Sequence, residues 1–167
     1  MAAPVFYVAN TAMPTTARPT FVATGTAIKT HLQFLRTSQS RVVKWGVLLD
    51  AIPPVPVYCE LLTTGTVAAT VAAHVAAGVQ PYTDTSATAA ASDGVTLSTT
   101  GTGYNASAEG TITAARQGDL QVLTAENRHL WEWSLGREFE VAANDVLRVR
   151  ITTATTINAY TYILVEL

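Results

Sequence analysis

Apolar and polar residues alternate along much of this chain, with the period of two that a β-strand shows when only one of its faces is buried. The alternation is clearest in the C-terminal third, where Leu147, Val149 and Ile151 fall on one parity. Arg148 and Arg150 fall on the other parity. We therefore predict that the three aliphatic side chains point inward and that both arginines point outward.

Similar alternation predicts a series of short strands, separated by turn residues at intervals of about ten positions. Trp131, Trp133 and Leu135 share one parity of their segment, and a core position is the favoured interpretation for both tryptophans and for Trp45. The predicted strands cover residues 5–9, 27–34, 40–50, 55–62, 110–116, 129–135, 138–141, 146–151 and 159–166. Strands of this number and length predict an all-β fold, either a sandwich or a barrel. Of the two we expect an antiparallel β-sandwich, of jelly-roll type.

Two of the N-terminal strands are predicted to have one face in the core. In the strand over residues 27–34, the apolar set is Ile28, Leu32 and Phe34, and the polar set is Lys29, His31 and Gln33. In the strand over residues 40–50, the apolar set is Val43, Trp45, Val47 and Leu49. We expect both apolar sets to point inward, and we expect His31, His74 and His129 at the surface or at an interface.

Two segments in the middle of the chain have no clear period. Residues 67–77 are rich in alanine and fit either a short helix or a strand. Residues 78–107 hold many Gly, Ser, Thr and Asp residues, which predict a long loop. A loop of that length is typical of a functional segment or of one that contacts a partner.

The N-terminal segment, residues 1–25, is rich in Ala, Thr and Pro and has few charges. We predict an extended N-terminal arm that carries one short strand, over residues 5–9, and that is ordered only against its neighbours. Residues 26–167 are then predicted to form a single β-sandwich domain.

The composition limits the classes of partner. Charged residues make up 13% of the chain and the net charge is −2, without the basic run that binding to phosphates requires. No apolar stretch approaches the roughly 20 residues of a membrane-spanning helix. We therefore predict no nucleic-acid partner and no membrane association. We also expect no secretory signal, because no basic region precedes an apolar block.

Cys59 is the single cysteine, and it lies in an apolar run. One cysteine excludes an internal disulfide, and its use fits assembly in a reducing cytoplasm. The favoured interpretation is a buried small hydrophobic residue rather than a reactive nucleophile.

The sequence lacks the patterns that catalytic and metal sites require. Ser134 lies outside a nucleophile elbow, and His129 is predicted on the opposite strand face. None of the three histidines has the spacing of a metal ligand. Glu138 and Glu140 share a strand face and could act as paired carboxylates, although the wet side of a strand has the same spacing. We predict no catalytic, cofactor-binding or metal-binding residues and no cofactor, and we expect that the protein is not an enzyme.

Aromatic residues are the best candidates for recognition. Trp131 and Trp133, together with several tyrosines, could form a face that stacks on sugars, as in carbohydrate-binding modules. The tyrosines are Tyr58, Tyr104, Tyr160 and Tyr162. Glycan binding requires exposed tryptophans, whereas a core role requires buried ones.

Three stretches of the chain resemble a family of small proteins from bacteriophages of actinobacteria and their prophages. The first runs from Gly101 to Thr113, and the second, Leu130 to Glu138, contains the uncommon string Trp-x-Trp-x-x-Gly-Arg-Glu. The third is the closing segment around 147–151 and 158–160. The resemblance covers residues 26–167.

Proteins of this family resemble head-decoration or minor capsid proteins, which are jelly-roll-like domains on the outer shell of a tailed phage. The resemblance implies a structural virion protein on the capsid exterior, made in the host cytoplasm, with the major capsid protein as its partner. It also implies a homo-oligomer, with a trimer favoured. The alternative is a receptor- or carbohydrate-binding domain of a virion fibre or tail.

Overall fold

A strand with one apolar face is stable only when a second apolar surface covers that face. In the computed structural model, which describes residues 3–12, 16–83 and 93–167, two antiparallel β-sheets cover each other in this way. The predicted all-β, antiparallel sandwich is therefore confirmed. The finer jelly-roll topology stays a prediction.

Thirteen strands in the described residues make up the two sheets. The first sheet contains β1 (Val5–Ala9), β2 (Val22–Ala23), β4 (Ser40–Leu49), β7 (Val79–Pro81), β10 (Arg128–Glu132), β11 (Phe139–Val141) and β13 (Asn158–Glu166). Its order is β10-β4-β13-β1-β7, while β11 also pairs with β4 and β2 also pairs with β13. The second sheet contains β3 (Lys29–Phe34), β5 (Val57–Thr63), β6 (Thr70–Ala73), β8 (Gly103–Ala108), β9 (Arg116–Leu123) and β12 (Leu147–Thr153), in the order β6-β8-β3-β12-β5-β9.

The inner faces of β4 and β12 hold the core positions that the alternation predicts best. Leu147, Val149 and Ile151 are no more than 1% exposed, and Trp45 is fully buried. Burying one side chain of this size stabilises the fold by about 1.5–3 kcal/mol. The inward position predicted for Ile28 is wrong, because Ile28 precedes β3 and is 49% exposed.

A β-bulge in β3 changes which of its residues face the core. β12 pairs Val149 with Leu32 and Arg150 with Thr30, so His31 is the additional residue on β3. His31 is fully buried. The expectation that it lies at the surface or at an interface is therefore wrong, because the bulge interrupts the alternation at this residue.

A second bulge shifts the inward parity of β4. β13 pairs Leu164 with Lys44 and Val165 with Val42, so Val43 is the additional residue on β4. Val42 is fully buried, whereas Val43 is only partly buried. The core position predicted for Val43 therefore belongs to Val42.

Residues on either side of β8 cover part of the outer face of the second sheet. Gln33 donates from Nε2 to the carbonyl of Gly101 over 2.7 Å, and Arg148 donates from Nη1 to the carbonyl of Glu109 over 2.9 Å. Gln33 and Arg148 are both fully buried. Arg148 lies on the parity opposite to the core, as predicted, but it is not exposed to solvent, because residues distant in the sequence lie over it.

The strand predicted over residues 5–9 is confirmed as β1. β1 lies inside the first sheet, between β13 and β7, and its Phe6 and Val8 are fully buried. The prediction that residues 1–25 are ordered only against neighbours is wrong for this strand, because these side chains are part of the core.

Several predicted boundaries in the middle of the chain need correction. In residues 67–77 the structure has β6, so the strand alternative is confirmed there. The predicted loop over residues 78–107 contains β7 and most of β8, and its residues 84–92 lie outside the described residues. The strand predicted over residues 110–116 is wrong, because Gly110 has a φ of +71° that breaks the extended chain and β9 begins only at its end.

Candidate functional site

The terminal strands β9 and β10 of the two sheets lie side by side at one edge of the sandwich. Six of the ten large hydrophobic residues that are exposed among the described residues lie on or beside these strands. They are Tyr58, Leu120 and Val122 on the second-sheet side and Leu130, Trp131 and Leu135 on the first-sheet side. We call this surface the β9–β10 edge. Leu130 lies beside Tyr162 on the outer face of the first sheet, whereas Tyr58 and Val122 pair on the outer face of the second. Exposed apolar side chains therefore flank the edge on both sides, and exposed apolar surface marks candidate interaction positions.

Asp119 of β9 ties the two sheets together beneath the β9–β10 edge. Its carboxylate accepts a hydrogen bond from Trp45 Nε1 over 3.1 Å and lies 3.4 Å from His129 Nε2. The ring of His129 packs edge-on against Trp45, with 5.0 Å between their centroids. Burial lowers the pKa of His129 and outweighs the opposing effect of the Asp119 carboxylate. The cluster therefore acts as a structural tie.

An aromatic group closes the sandwich next to this tie. Trp133 stacks on Phe139 with 6.3 Å between centroids, and Trp131 meets Trp133 edge-on at 6.5 Å. The guanidinium of Arg116 lies 4.5 Å above the Phe139 ring, which is the geometry of a cation–π contact. Trp133 packs against the core, whereas Trp131 is 47% exposed. The core prediction is therefore wrong for Trp131, because β10 is the terminal strand of the first sheet in the described part of the chain.

Leu135 is 97% exposed at the tip of a tight turn that follows β10. Arg137 N donates to the Ser134 carbonyl over 2.9 Å, and Gly136 has the φ of +80° that the third residue of a type II turn requires. The turn has a second hydrogen bond, which Glu138 Oε1 accepts from Gly136 N. Backbone hydrogen bonds of this kind lower the pKa of Glu138. The strand predicted over residues 129–135 therefore extends too far, because β10 ends at Glu132.

The residues that were candidates for catalysis in the sequence each make a separate local contact. Ser134 contributes its carbonyl to the turn, while His129 contacts Asp119 and Trp45. The carboxylate of Glu140 lies 3.5 Å from Arg41 at the surface.

A cluster of tyrosines lies on the outer face of the first sheet. Tyr160 and Tyr162, two of the predicted recognition residues, lie there with Tyr7, which the sequence did not single out. The hydroxyls of Tyr7 and Tyr160 are 2.6 Å apart, and the rings of Tyr7 and Tyr162 stack at 5.2 Å. Stacking covers one face of each of these two rings. The other predicted tyrosines lie elsewhere: Tyr58 is on β5, and Tyr104 packs on His74 with 4.7 Å between centroids.

The remaining titratable candidates are buried singly. His74 bonds through Nε2 to the Ala9 carbonyl over 2.8 Å, so the surface or interface expectation is wrong for it. Cys59 is fully buried, which confirms its prediction as a buried small residue, and burial raises its pKa to about 12. Within the described ranges, no three His, Cys, Asp or Glu side chains are grouped so that they could hold a metal ion. Those ranges also contain no helix with the length and apolarity needed to cross a membrane.

The fold and this surface together define a β-sandwich with an exposed apolar edge. The chain matches no protein-family model, no curated protein and no solved structure.

Proposed function

We propose that the chain is a structural virion protein, a decoration protein that binds the outer surface of a phage head and stabilises contacts between major capsid subunits. The observation that supports this proposal is the β9–β10 edge, where Trp131 is 47% exposed and Leu135 is 97% exposed. Apolar surface of this kind gains free energy when a protein partner removes it from water. The sequence resemblance to phage head proteins names the partner.

The Leu135 turn is suited to the centre of such a contact. Burying a fully exposed leucine contributes about 1.5–3 kcal/mol. The hydrogen bonds of the turn fix Leu135 in place before binding, so little conformational entropy is lost when it docks. Flanking Trp131 supplies a large aromatic surface, the residue type that most often dominates interface energy.

Repetition on a lattice lets a modest contact act strongly. A homo-oligomer, with a trimer favoured, places several β9–β10 edges on neighbouring capsid subunits at once, and linked binding events raise the overall affinity. Because the decoration protein binds assembled subunits and not separated ones, it shifts the equilibrium toward the assembled shell.

The test is sedimentation of the purified protein with undecorated heads of a phage that encodes it, combined with image reconstruction of its particles. We expect saturable binding and regular density on the head. The double substitution Trp131→Ala with Leu135→Asp should abolish binding, while Ile52→Ser, at a residue that is 66% exposed away from the edge, should not. Density confined to the tail, or equal binding by both variants, would contradict the proposal.

A second candidate function is a receptor- or carbohydrate-binding domain of a virion fibre or tail. The half-exposed ring of Trp131 favours it, because an accessible aromatic face is what sugar stacking requires. Trp133 lends no such face, since it packs on Phe139 and on the core. The test is quenching of tryptophan fluorescence by soluble glycans. Quenching that is lost in Trp131→Ala would support a role of Trp131 in glycan binding over a role in capsid binding.

A further inference from the structure

An open cleft of about 830 Å³ lies on the first sheet, where β4 ends and β10 begins. Its apolar wall includes Phe21 and Leu48, and its polar residues are Arg18, Thr20, Asp50, Asn127 and Arg128. This volume is within the range of small-molecule sites, which combine an apolar lining with a few polar groups.

The wall that carries Phe21 is held by the first sheet. β2 begins at the next residue and pairs Val22 with Ala159 of β13. The ring of Phe21 packs against Tyr160 with 5.9 Å between centroids. Across the cleft, Leu49 N donates to the Asn127 carbonyl over 2.7 Å, which fixes the turn that precedes Arg128.

Asp50 is oriented by Asn158. Its two carboxylate oxygens accept hydrogen bonds from the backbone N and the Nδ2 of Asn158, over 3.3 Å and 2.7 Å. A carboxylate oxygen has more than one acceptor position. Each carboxylate oxygen of Asp50 can therefore accept a further hydrogen bond from a hydroxyl group of a ligand.

The two arginines give the cleft an excess of positive charge. Arg18 and Arg128 are both exposed, and neither forms an ion pair with a carboxylate of the described residues. Among the residues that the structure describes, Asp50 is the single acidic one that lines the cleft. A guanidinium binds a carboxylate or a phosphate through two parallel hydrogen bonds, so this pair favours an anionic ligand.

We propose that this cleft binds an acidic saccharide, a sugar that carries a carboxylate or a phosphate. Arg18 and Arg128 bind the anionic group. Asp50 and Asn127 accept and donate hydrogen bonds with the hydroxyls, and Phe21 packs against the apolar face of the sugar ring. The proposal deepens the second candidate function by giving it a ligand class and a site away from Trp131. It is also compatible with decoration, because the cleft and the β9–β10 edge use different side chains.

The test is a titration of the full chain, followed by NMR chemical shifts, with three probes: trigalacturonate, glucose 6-phosphate and the neutral maltotriose. We expect saturable shifts with at least one acidic probe, no saturation with maltotriose, and weaker binding at higher salt. The two acidic probes distinguish a carboxylate ligand from a phosphate ligand. No saturation with either acidic probe, or equal binding of maltotriose, would overturn the proposal.

Matched arginine substitutions locate the site. Arg18→Gln and Arg128→Gln should each weaken binding of the acidic probe by about tenfold, since each removes a charge-assisted hydrogen bond. Arg137→Gln removes an exposed arginine of the Leu135 turn, outside the cleft, and should leave the affinity unchanged. Equal losses in all three variants would reduce the effect to net charge and refute the site. Capsid binding depends on Trp131 and Leu135, so the two proposals fail separately.

Discussion

Arg148 and Glu109 form an ion pair in which the guanidinium is fully buried, with 3.3 Å between Nη1 and Oε2. Glu109 also accepts hydrogen bonds from the backbone N and the hydroxyl of Thr30. The pair therefore joins β12, β3 and the segment that covers them. Burial lowers the pKa of Arg148, and the Glu109 carboxylate opposes that effect by stabilising the charged form.

Removing the carboxylate should be costly. Glu109→Gln removes the counter-charge of a buried guanidinium and keeps only its hydrogen bonds to backbone carbonyls. We expect the free energy of unfolding to fall by about 3 kcal/mol in a urea titration. Glu132→Gln is the matched control, because Glu132 pairs with Lys44 over 3.5 Å at the surface. An exposed pair of this kind contributes less than about 1 kcal/mol. Similar losses in the two variants would contradict the role of burial.

The buried His31 should make stability depend on pH. Burial, with a smaller contribution from Lys29, lowers its pKa from 6.5 to about 3, so the folded state binds fewer protons than the unfolded state. The stabilisation is present above pH 6.5 and is lost as the pH falls toward 3. Urea unfolding should show a loss of about 2 kcal/mol between pH 7 and pH 5 from this group. His31→Gln should reduce the slope, and an unchanged slope would sink the assignment.

A hydrogen bond between Asn10 and His31 explains in structural terms why protonation of His31 is unfavourable in the folded protein. Asn10 Nδ2 donates to His31 Nδ1 over 3.3 Å, so a proton on Nδ1 would face another donor. Asn10 also binds β13, where its Oδ1 accepts from Thr161 N over 2.9 Å. Hydrogen exchange at Thr161 should therefore accelerate as the pH falls through this window, beyond the intrinsic change in exchange rate.

Gly46 makes room for two side chains on the outer face of the first sheet. A Cβ at this position would lie 2.6 Å from Tyr162 Cε1 and 2.8 Å from Leu130 Cδ2. We expect Gly46→Ala to cost about 1–3 kcal/mol of unfolding free energy through overpacking. In the double variant with Tyr162→Ala, the loss of unfolding free energy should be smaller than the sum of the losses in the two single variants, because removal of the Tyr162 ring relieves the clash. Strict additivity in denaturant titrations would argue against this close approach.

Cys59 should be inert to thiol reagents in the folded protein. Burial raises its pKa to about 12, and only the thiolate reacts. At pH 8 we expect negligible labelling by a disulfide reagent in the native state and one thiol per chain in 6 M guanidinium. Rapid labelling of the native protein would show that β5 opens locally. An inert Cys59 also allows single cysteines placed on the β9–β10 edge to be labelled selectively.

The sequence predicts the core of β12 well and its outer face poorly. Leu147 and Val149 point inward because alternation is a property of the strand itself. Arg148 is buried because residues far away in sequence lie over it, and no local pattern reports that cover. His31 is buried because of a bulge whose position depends on pairing between strands.

The candidate sites show the same division. Trp131 is an apolar residue on the expected parity, yet it is exposed because β10 is a terminal strand, and strand order is a property of the whole sheet. Leu135 is exposed because the chain turns after β10 has ended. The sequence singled out Tyr160 and Tyr162 as aromatic candidates, whereas their partner Tyr7 comes from a segment predicted to be an arm. The cleft combines residues 18, 50 and 128, which no spacing rule connects.

The position of β1 between β13 and β7 also determines when the first sheet can be completed. Tyr7 and Tyr160, which share a hydrogen bond, are 153 positions apart along the chain. During synthesis β1 emerges long before β13, so its apolar residues Phe6 and Val8 stay without their main partner while most of the chain is made. Contacts of such long range slow folding and prolong exposure to aggregation. Assembly of this sandwich is therefore expected to be late and slow, with closure around β13 as its final event.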